Sequence, residues 1–242
     1  MSKVTSINNI DYISYITMLV RKDVMDNISN SGACSILLTG GRTAELLYRY
    51  WSESCPWDHK EVIYYFGDER CVPSDSRFSN YAMVADTLLP DRINQNISLN
   101  KMNGDVDDIL FETRRYEKLL PDEIDILLFS VGEDGHIASL FPGSDALYEH
   151  EHSVVPIIGP KPPQNRLTIT PRVINSAKSI FVFASGAEKG KILAKALDDH
   201  DNVNELPVRL TIGATWILDE AATAAFKESA QHNHLNTRII YA

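Results

Sequence analysis

Short apolar runs recur along this chain, and several end in a glycine-bearing turn that leads into helical periodicity. Residues 35–38 run into Thr39-Gly40-Gly41-Arg42-Thr43, 62–66 into Gly67, 124–131 into Gly132, and 179–184 into Ser185-Gly186. Further strands are predicted at 154–158, 167–170, 208–212 and 237–241, and helices at 7–27, 43–51, 80–89, 106–119, 187–197 and 219–227. Strands that alternate with helices predict an α/β fold: a doubly wound, mostly parallel sheet with helices on both faces. The 242 residues suit one domain spanning 1–242. No stretch has the length and apolarity of a membrane span. The first residues lack the basic segment and apolar core of a secretory signal. Cys34, Cys55 and Cys71 have no metal-type spacing and are odd in number, which predicts reduced thiols in a cytoplasmic protein. Cys34 opens a strand and is expected in the core.

The loops after the apolar runs carry the chemistry. Val131-Gly132-Glu133-Asp134-Gly135-His136 follows the 124–131 strand. Gly132 and Gly135 permit a sharp turn, which leaves Asp134 and His136 at the carboxyl end of the strand. Ligands of open α/β sheets bind at that edge. A histidine there is a candidate general base, because its ordinary pKa lies near neutral pH. Gly40 and Gly41 let backbone N–H groups approach an anion at the start of a helix, while Thr43 either caps that helix or binds a ligand oxygen. The spacing is neither a Walker loop nor a dinucleotide fingerprint, and a bland strand-to-helix turn would also use two glycines.

Arg70, in Gly67-Asp68-Glu69-Arg70, presents a planar fork suited to phosphate. Asp68 or Glu69 either holds that arginine or binds sugar hydroxyls. Ser79-Asn80 opens a helix, so capping is the first expectation for Asn80 and substrate contact the second. Arg166 starts a strand after the proline-rich loop at 159–163. Lys189 lies in the first turn of its helix, where a cation opposes the helix dipole unless an anion sits nearby. Arg42, Arg70, Arg166 and Lys189 thus sit at turn signals or helix starts, although the net charge is −10. That charge argues against nucleic acid as a partner; a local basic cluster still suits a small anion. His150-Glu151-His152 and His232-Asn233-His234 have no convincing third ligand, so no metal is expected. Trp51, Trp57 and Trp216 are expected to pack.

Taken together, these motifs resemble the glucosamine-6-phosphate isomerase/6-phosphogluconolactonase family, and within it the lactonases. The most specific blocks are Asp68-Glu69-Arg70-Cys71-Val72-Pro73 with Ser79-Asn80, and residues Gly132 to Gly143; Arg166-Leu167-Thr168, Gly186-Ala187-Glu188-Lys189 and Trp216-Ile217-Leu218-Asp219 follow in the family's order. Ile137 and Thr39 depart from the lactonase pattern, which has threonine and serine there; Ile137 matches the deaminases. The deaminases, however, follow their histidine with Ala-Phe-Asn-Glu and use Asp-Glu-Tyr where this chain has Asp68-Glu69-Arg70. The resemblance implies hydrolysis of 6-phosphogluconolactone without metal or cofactor. His136 would be the base, with Asp134 orienting it or the loop. Arg70 and Lys189 would bind the phosphate, with Arg166 as an additional contact. Gly40, Gly41, Arg42, Thr43, Asp68, Asn80 and Gly135 complete the expected substrate site. The partner implied is a small phosphosugar lactone, with no nucleic acid or membrane, for a monomer or weak homo-oligomer. The rival activities are a phosphosugar deaminase or isomerase on the same fold, and a non-catalytic phosphosugar sensor. The chain shows no basic helix-turn-helix pattern that a DNA-binding regulator would need.

Overall fold

The computed structural model describes residues 9–90, 96–198, 202–229 and 238–241. Its elements run α1 (Asn9–Ser31), β1 (Cys34–Leu38), α2 (Arg42–Ser54), β2 (Val62–Phe66), β3 (Asp68–Arg70), α3 (Asn80–Leu88), β4 (Ser98–Leu99), α4 (Ile109–Glu117) and β5 (Ile126–Ser130). They continue with β6 (Val154–Ile158), β7 (Asn165–Ile169), α5 (Pro171–Asn175), β8 (Ser179–Ala184), α6 (Ala187–Asp198), β9 (Thr215–Leu218), α7 (Glu220–Ser229) and β10 (Arg238–Tyr241). Positions 7–8 of the first expected helix, position 237 of the last expected strand, and His232 and His234 lie outside the described residues.

One sheet has the order β10-β9-β8-β5-β1-β2-β4, and its strand pairs are parallel. The inner strands β1 and β5 are apolar along almost their whole length because both faces of a parallel sheet are covered. Ile36, Leu37, Leu38, Ile126, Leu127, Leu128 and Phe129 have no solvent exposure. Helices α1, α2 and α3 pack as one group, α6 and α7 as another. The chain winds outward from β1 through β2 in one direction, then from β5 through β8, β9 and β10 in the other. Right-handed crossovers therefore put α2 and the pair α6–α7 on opposite faces.

The expected parallel sheet is present, with an addition. Strands β3, β7 and β6 form a separate antiparallel sheet. The proline loop joins β6 to β7 with no helix between them, and a direct connection of that kind suits an antiparallel hairpin.

The strand expected at 208–212 is instead a 3-10 turn, Pro207–Thr211, and the neighbouring strand is β9. A short apolar run has no periodicity to separate strand from turn. Here Pro207 opens the turn, Val208 N donates to Gly135 O at 2.8 Å, and Gly213 at φ +99° ends it. Helix α4 begins later than expected because Asp108 caps it, accepting from Phe111 N at 2.9 Å.

Helices α6 and α7 approach so closely at Gly190 that a Cβ there would overlap the Ala222 carbonyl group. Helix propensity alone would make Gly190→Ala stabilising by about 1 kcal/mol. Overpacking instead costs about 1–3 kcal/mol, and the obstacle here is backbone. The variant is therefore expected to unfold at lower urea concentration than wild type; a higher midpoint would refute this account of the interface.

Candidate active site

The strand order reverses between β1 and β5. Their carboxyl ends splay their following loops apart and leave a crevice, the usual ligand position in an open parallel sheet. A cleft of about 370 Å³ lies there. It is lined by Thr39, Gly40, Gly41 and Arg42 after β1, Ser130 to Asp134 with His136 and Ala138 after β5, Asp68 and Arg70 on β3, Lys161 and Arg166 from the β6–β7 hairpin, and Lys189 on α6.

After β5 the chain makes a tight turn. Gly132 N donates to His136 O at 2.9 Å, and Gly135 has φ +81°. A Cβ on Gly132 would collide with the imidazole and with the Asp134 carboxylate, so only glycine leaves these two side chains room to meet. His136 Nδ1 lies 2.5 Å from Asp134 Oδ1. A carboxylate can only accept, which assigns the proton to Nδ1 and leaves Nε2 as the basic nitrogen. Phe141 packs on the imidazole with ring centroids 4.7 Å apart. Burial disfavours charge on Asp134, but the hydrogen bond and charge of His136 prevail and hold its carboxyl at about 2.

The cations converge from separate elements. In the β3–β7 register Arg70 stands directly opposite Arg166, which places like charges side by side. Such a pair is destabilising by itself, and an anion beside it would offset that cost. Arg70 Nη1 donates to Phe78 O at 2.7 Å. Arg166 is 7% exposed, and burial followed by the Arg70 charge pulls its guanidinium down from the ordinary arginine range. Lys189 Nζ lies 3.3 Å from Ser130 Oγ; burial is the main cause of its lowered pKa, with Arg42 adding to it and Glu133 and Asp219 opposing it. Gly41, at φ +103°, is the N-cap of α2, with no side-chain cap bond, and it lines the cleft, so the positive end of that helix lies at the cleft wall.

Nine of the expected site residues share the cleft: Gly40, Gly41, Arg42, Asp68, Arg70, Asp134, His136, Arg166 and Lys189. Three expected residues are outside its lining. Thr43 is buried inside α2, and Gly41, not Thr43, is the cap. Ser79 caps α3 by accepting from Ala82 N at 3.1 Å, which corrects the capping role expected of Asn80. The Asn80 amide donates instead to Asp68 Oδ1 at 3.1 Å and Asp68 O at 2.9 Å, and abuts Gly40, where a Cβ would displace it. Gly135 shapes the turn beneath the cleft and packs on Leu206. Glu69 does not hold the Arg70 guanidinium. It is buried and accepts from the N–H groups of Arg70, Asn80 and Tyr81 and from the Ser79 hydroxyl. The Asp68 carboxylate is likewise committed, to Asn80 and Ser139. Ser130 and Lys161 were not expected in the lining; the strand-end position of Ser130 was a usable signal, whereas Lys161 arrives through the hairpin's tertiary placement.

A family model described as glucosamine-6-phosphate isomerases/6-phosphogluconolactonase matches residues 10–217. The 6-phosphogluconolactonase of Rattus norvegicus is 32% identical over 209 residues, covering 80% of this chain and 80% of that protein. A solved 6-phosphogluconolactonase from Trypanosoma cruzi is 26% identical, with a TM-score of 0.73 over 91% of this chain and 94% of the other. A monomeric glucosamine-6-phosphate deaminase shares the fold, with a TM-score of 0.74 and 20% identity over 93% of this chain and 100% of its own.

The Asp134–His136 pair has a consequence for acid stability. The folded pKa of Asp134, about 2, lies below its ordinary value of 3.8. Its stabilisation is therefore present above the ordinary value and is lost as pH falls through about 2. Melting temperatures of wild type and Asp134→Asn, followed from neutral pH downwards, are expected to converge at the acid end. A gap that stays constant with pH would show that the pair contributes no such stability.

Proposed function

Because the chain belongs to the glucosamine-6-phosphate isomerase/6-phosphogluconolactonase family, we propose that it hydrolyses 6-phospho-D-glucono-1,5-lactone to 6-phospho-D-gluconate in the oxidative pentose phosphate pathway. The observation that carries this reading is a carboxylate-oriented imidazole in the same cleft as Arg42, Arg70, Arg166 and Lys189. A δ-lactone is an activated ester. Its hydrolysis needs a positioned water, a base for that water and a partner for the oxyanion, and a phosphorylated substrate needs cations at a distance from the reacting carbon.

In the proposed reaction His136 Nε2 takes a proton from water as the water oxygen bonds to C1 of the lactone. Asp134 holds the imidazole through Nδ1 and stabilises the imidazolium that forms. The C1 carbonyl becomes a tetrahedral oxyanion, stabilised by the backbone N–H groups of Gly40 and Gly41 or by a neighbouring cation. Collapse of that intermediate breaks the bond from C1 to the ring oxygen. The imidazolium returns its proton to the departing oxygen, which becomes the sugar hydroxyl, and the new carboxylic acid ionises in water. Arg70 and Lys189 bind the phosphate, with Arg166 beside Arg70. None of these steps calls on a metal or cofactor. The reading places the enzyme in the cytoplasm as a monomer or weak homo-oligomer.

The test is hydrolysis of 6-phosphogluconolactone generated in situ. Wild type is expected to exceed the spontaneous rate, and His136→Ala to lose about 10²- to 10⁴-fold in turnover with much less effect on binding. Normal turnover by a folded His136→Ala protein would refute the base assignment. No acceleration by wild type would refute the lactonase reading and direct attention to ammonia release from glucosamine 6-phosphate.

A further inference from the structure

Ser139 was not expected in the site and does not line the cleft, yet it has no solvent exposure and bonds to two residues that do, Asp68 and Arg166. The chain reaches it through Ala138, whose φ of +49° is left-handed. A non-glycine residue there carries a backbone cost, and the bend leads directly to the buried hydroxyl. Ser139 Oγ donates to Asp68 Oδ2 at 2.5 Å and lies 3.4 Å from Arg166 Nη1, whose N–H points at it. Ser139 N donates to Thr168 Oγ1 at 3.2 Å, which fixes the segment to β7 beside Arg166.

The remaining hydrogen bonds of Arg166 also run to neutral oxygens. Nε donates to Pro163 O at 2.9 Å and Nη2 to Lys161 O at 3.3 Å. Asp68, an acid near enough to act on this guanidinium through space, is linked to it through the serine hydroxyl. A direct contact between the two would pair the carboxylate with the guanidinium and spend the charge that a substrate anion needs. With the hydroxyl between them, Asp68 is satisfied by Ser139 and Asn80, and Arg166 keeps a positive charge at the cleft.

We propose that Ser139 is a positioning residue that sets specificity for phosphorylated substrate, acting as a polar spacer that keeps Arg166 from closing onto Asp68. The proposal rests on the lactonase reading and deepens it. Removing the hydroxyl frees Arg166 and Asp68 to form a direct ion pair, which then competes with the substrate phosphate. The loss belongs to substrate capture and not to proton transfer at His136.

The experiment compares kcat/KM for 6-phosphogluconolactone with that for unphosphorylated glucono-1,5-lactone in wild type and Ser139→Ala, with folding checked by circular dichroism. A charge-assisted contact to the phosphate is worth roughly a tenfold effect or more. Preference for the phosphorylated lactone is expected to fall by about that factor, mainly through KM, with the pH profile of kcat unmoved. Adding Asp68→Asn to Ser139→Ala removes the competing charge and is expected to recover part of the preference. Equal losses on both lactones, an unchanged preference, or a further loss in the double variant would each overturn the spacer role. Calorimetric titration with inorganic phosphate gives a readout independent of turnover, and Ser139→Ala is expected to bind it about tenfold more weakly. Unchanged phosphate affinity would overturn the proposal even if wild type hydrolysed neither lactone, a result that would by itself sink only the lactonase reading.

Discussion

The reversal of strand order beside β1 is the constraint on which the site depends. Parallel strands send every following loop to the same edge of the sheet, and at a reversal the loops on either side turn away from each other. The glycine loop after β1 and the Asp134–His136 turn after β5 therefore face one crevice. The crossover to α6 brings Lys189 to its rim, and the hairpin of the second sheet brings Arg166 and Lys161. The buried apolar strands do no chemistry, but their register holds these loops in place.

Electrostatics gives the crevice its character. The protein carries a net charge of −10, yet several of its basic side chains meet at one edge of one sheet. Arg70 opposite Arg166 on neighbouring strands is a costly arrangement for an empty fold. The fold holds it because the backbone ladder of β3 and β7 fixes both residues and because Asp68 lies close by. Much of the negative charge is elsewhere or already committed: Glu69 holds the start of α3, and Asp134 is paired with His136. Local charge, not total charge, decides what enters the cleft.

The strand-end motifs were legible in the sequence for a physical reason. A glycine pair before a helix, a histidine two residues after an aspartate and a lysine in a helix's first turn are local departures from what a structural loop requires. Gly41, Asp134, His136 and Lys189 therefore announced themselves. Non-local pairing left no such mark. Nothing within residues 154–170 says that β6 and β7 leave the main sheet, and Lys161 reaches the cleft only through that departure. The capping expected of Thr43 and Asn80 falls to a neighbour in each motif: Gly41 caps α2 and Ser79 caps α3. Ser139 lies within the family block Gly132 to Gly143, but its partners, Asp68 and Arg166, are distant in sequence.

That block explains how the two halves of the site can be tuned together. Phe141 lies against His136 with ring centroids 4.7 Å apart, and the Arg166 guanidinium lies 5.3 Å from the same ring. One aromatic side chain thus supports the imidazole and offers its face to the cation. Two residues earlier, Ser139 places the carboxylate that acts on that cation. Leu140, fully buried between them, anchors the segment, with its N–H bonded to Ile137 O at 2.9 Å. A change at Phe141 therefore reaches both the imidazole and the guanidinium, whereas the Ser139 hydroxyl bonds to Asp68 and Arg166. The deaminase pattern of Ala-Phe-Asn-Glu would replace serine, leucine and phenylalanine in this segment together, removing the spacer, the anchor and the shared ring at once. In this chain the few residues after the histidine thus hold the imidazole and the guanidinium against one ring.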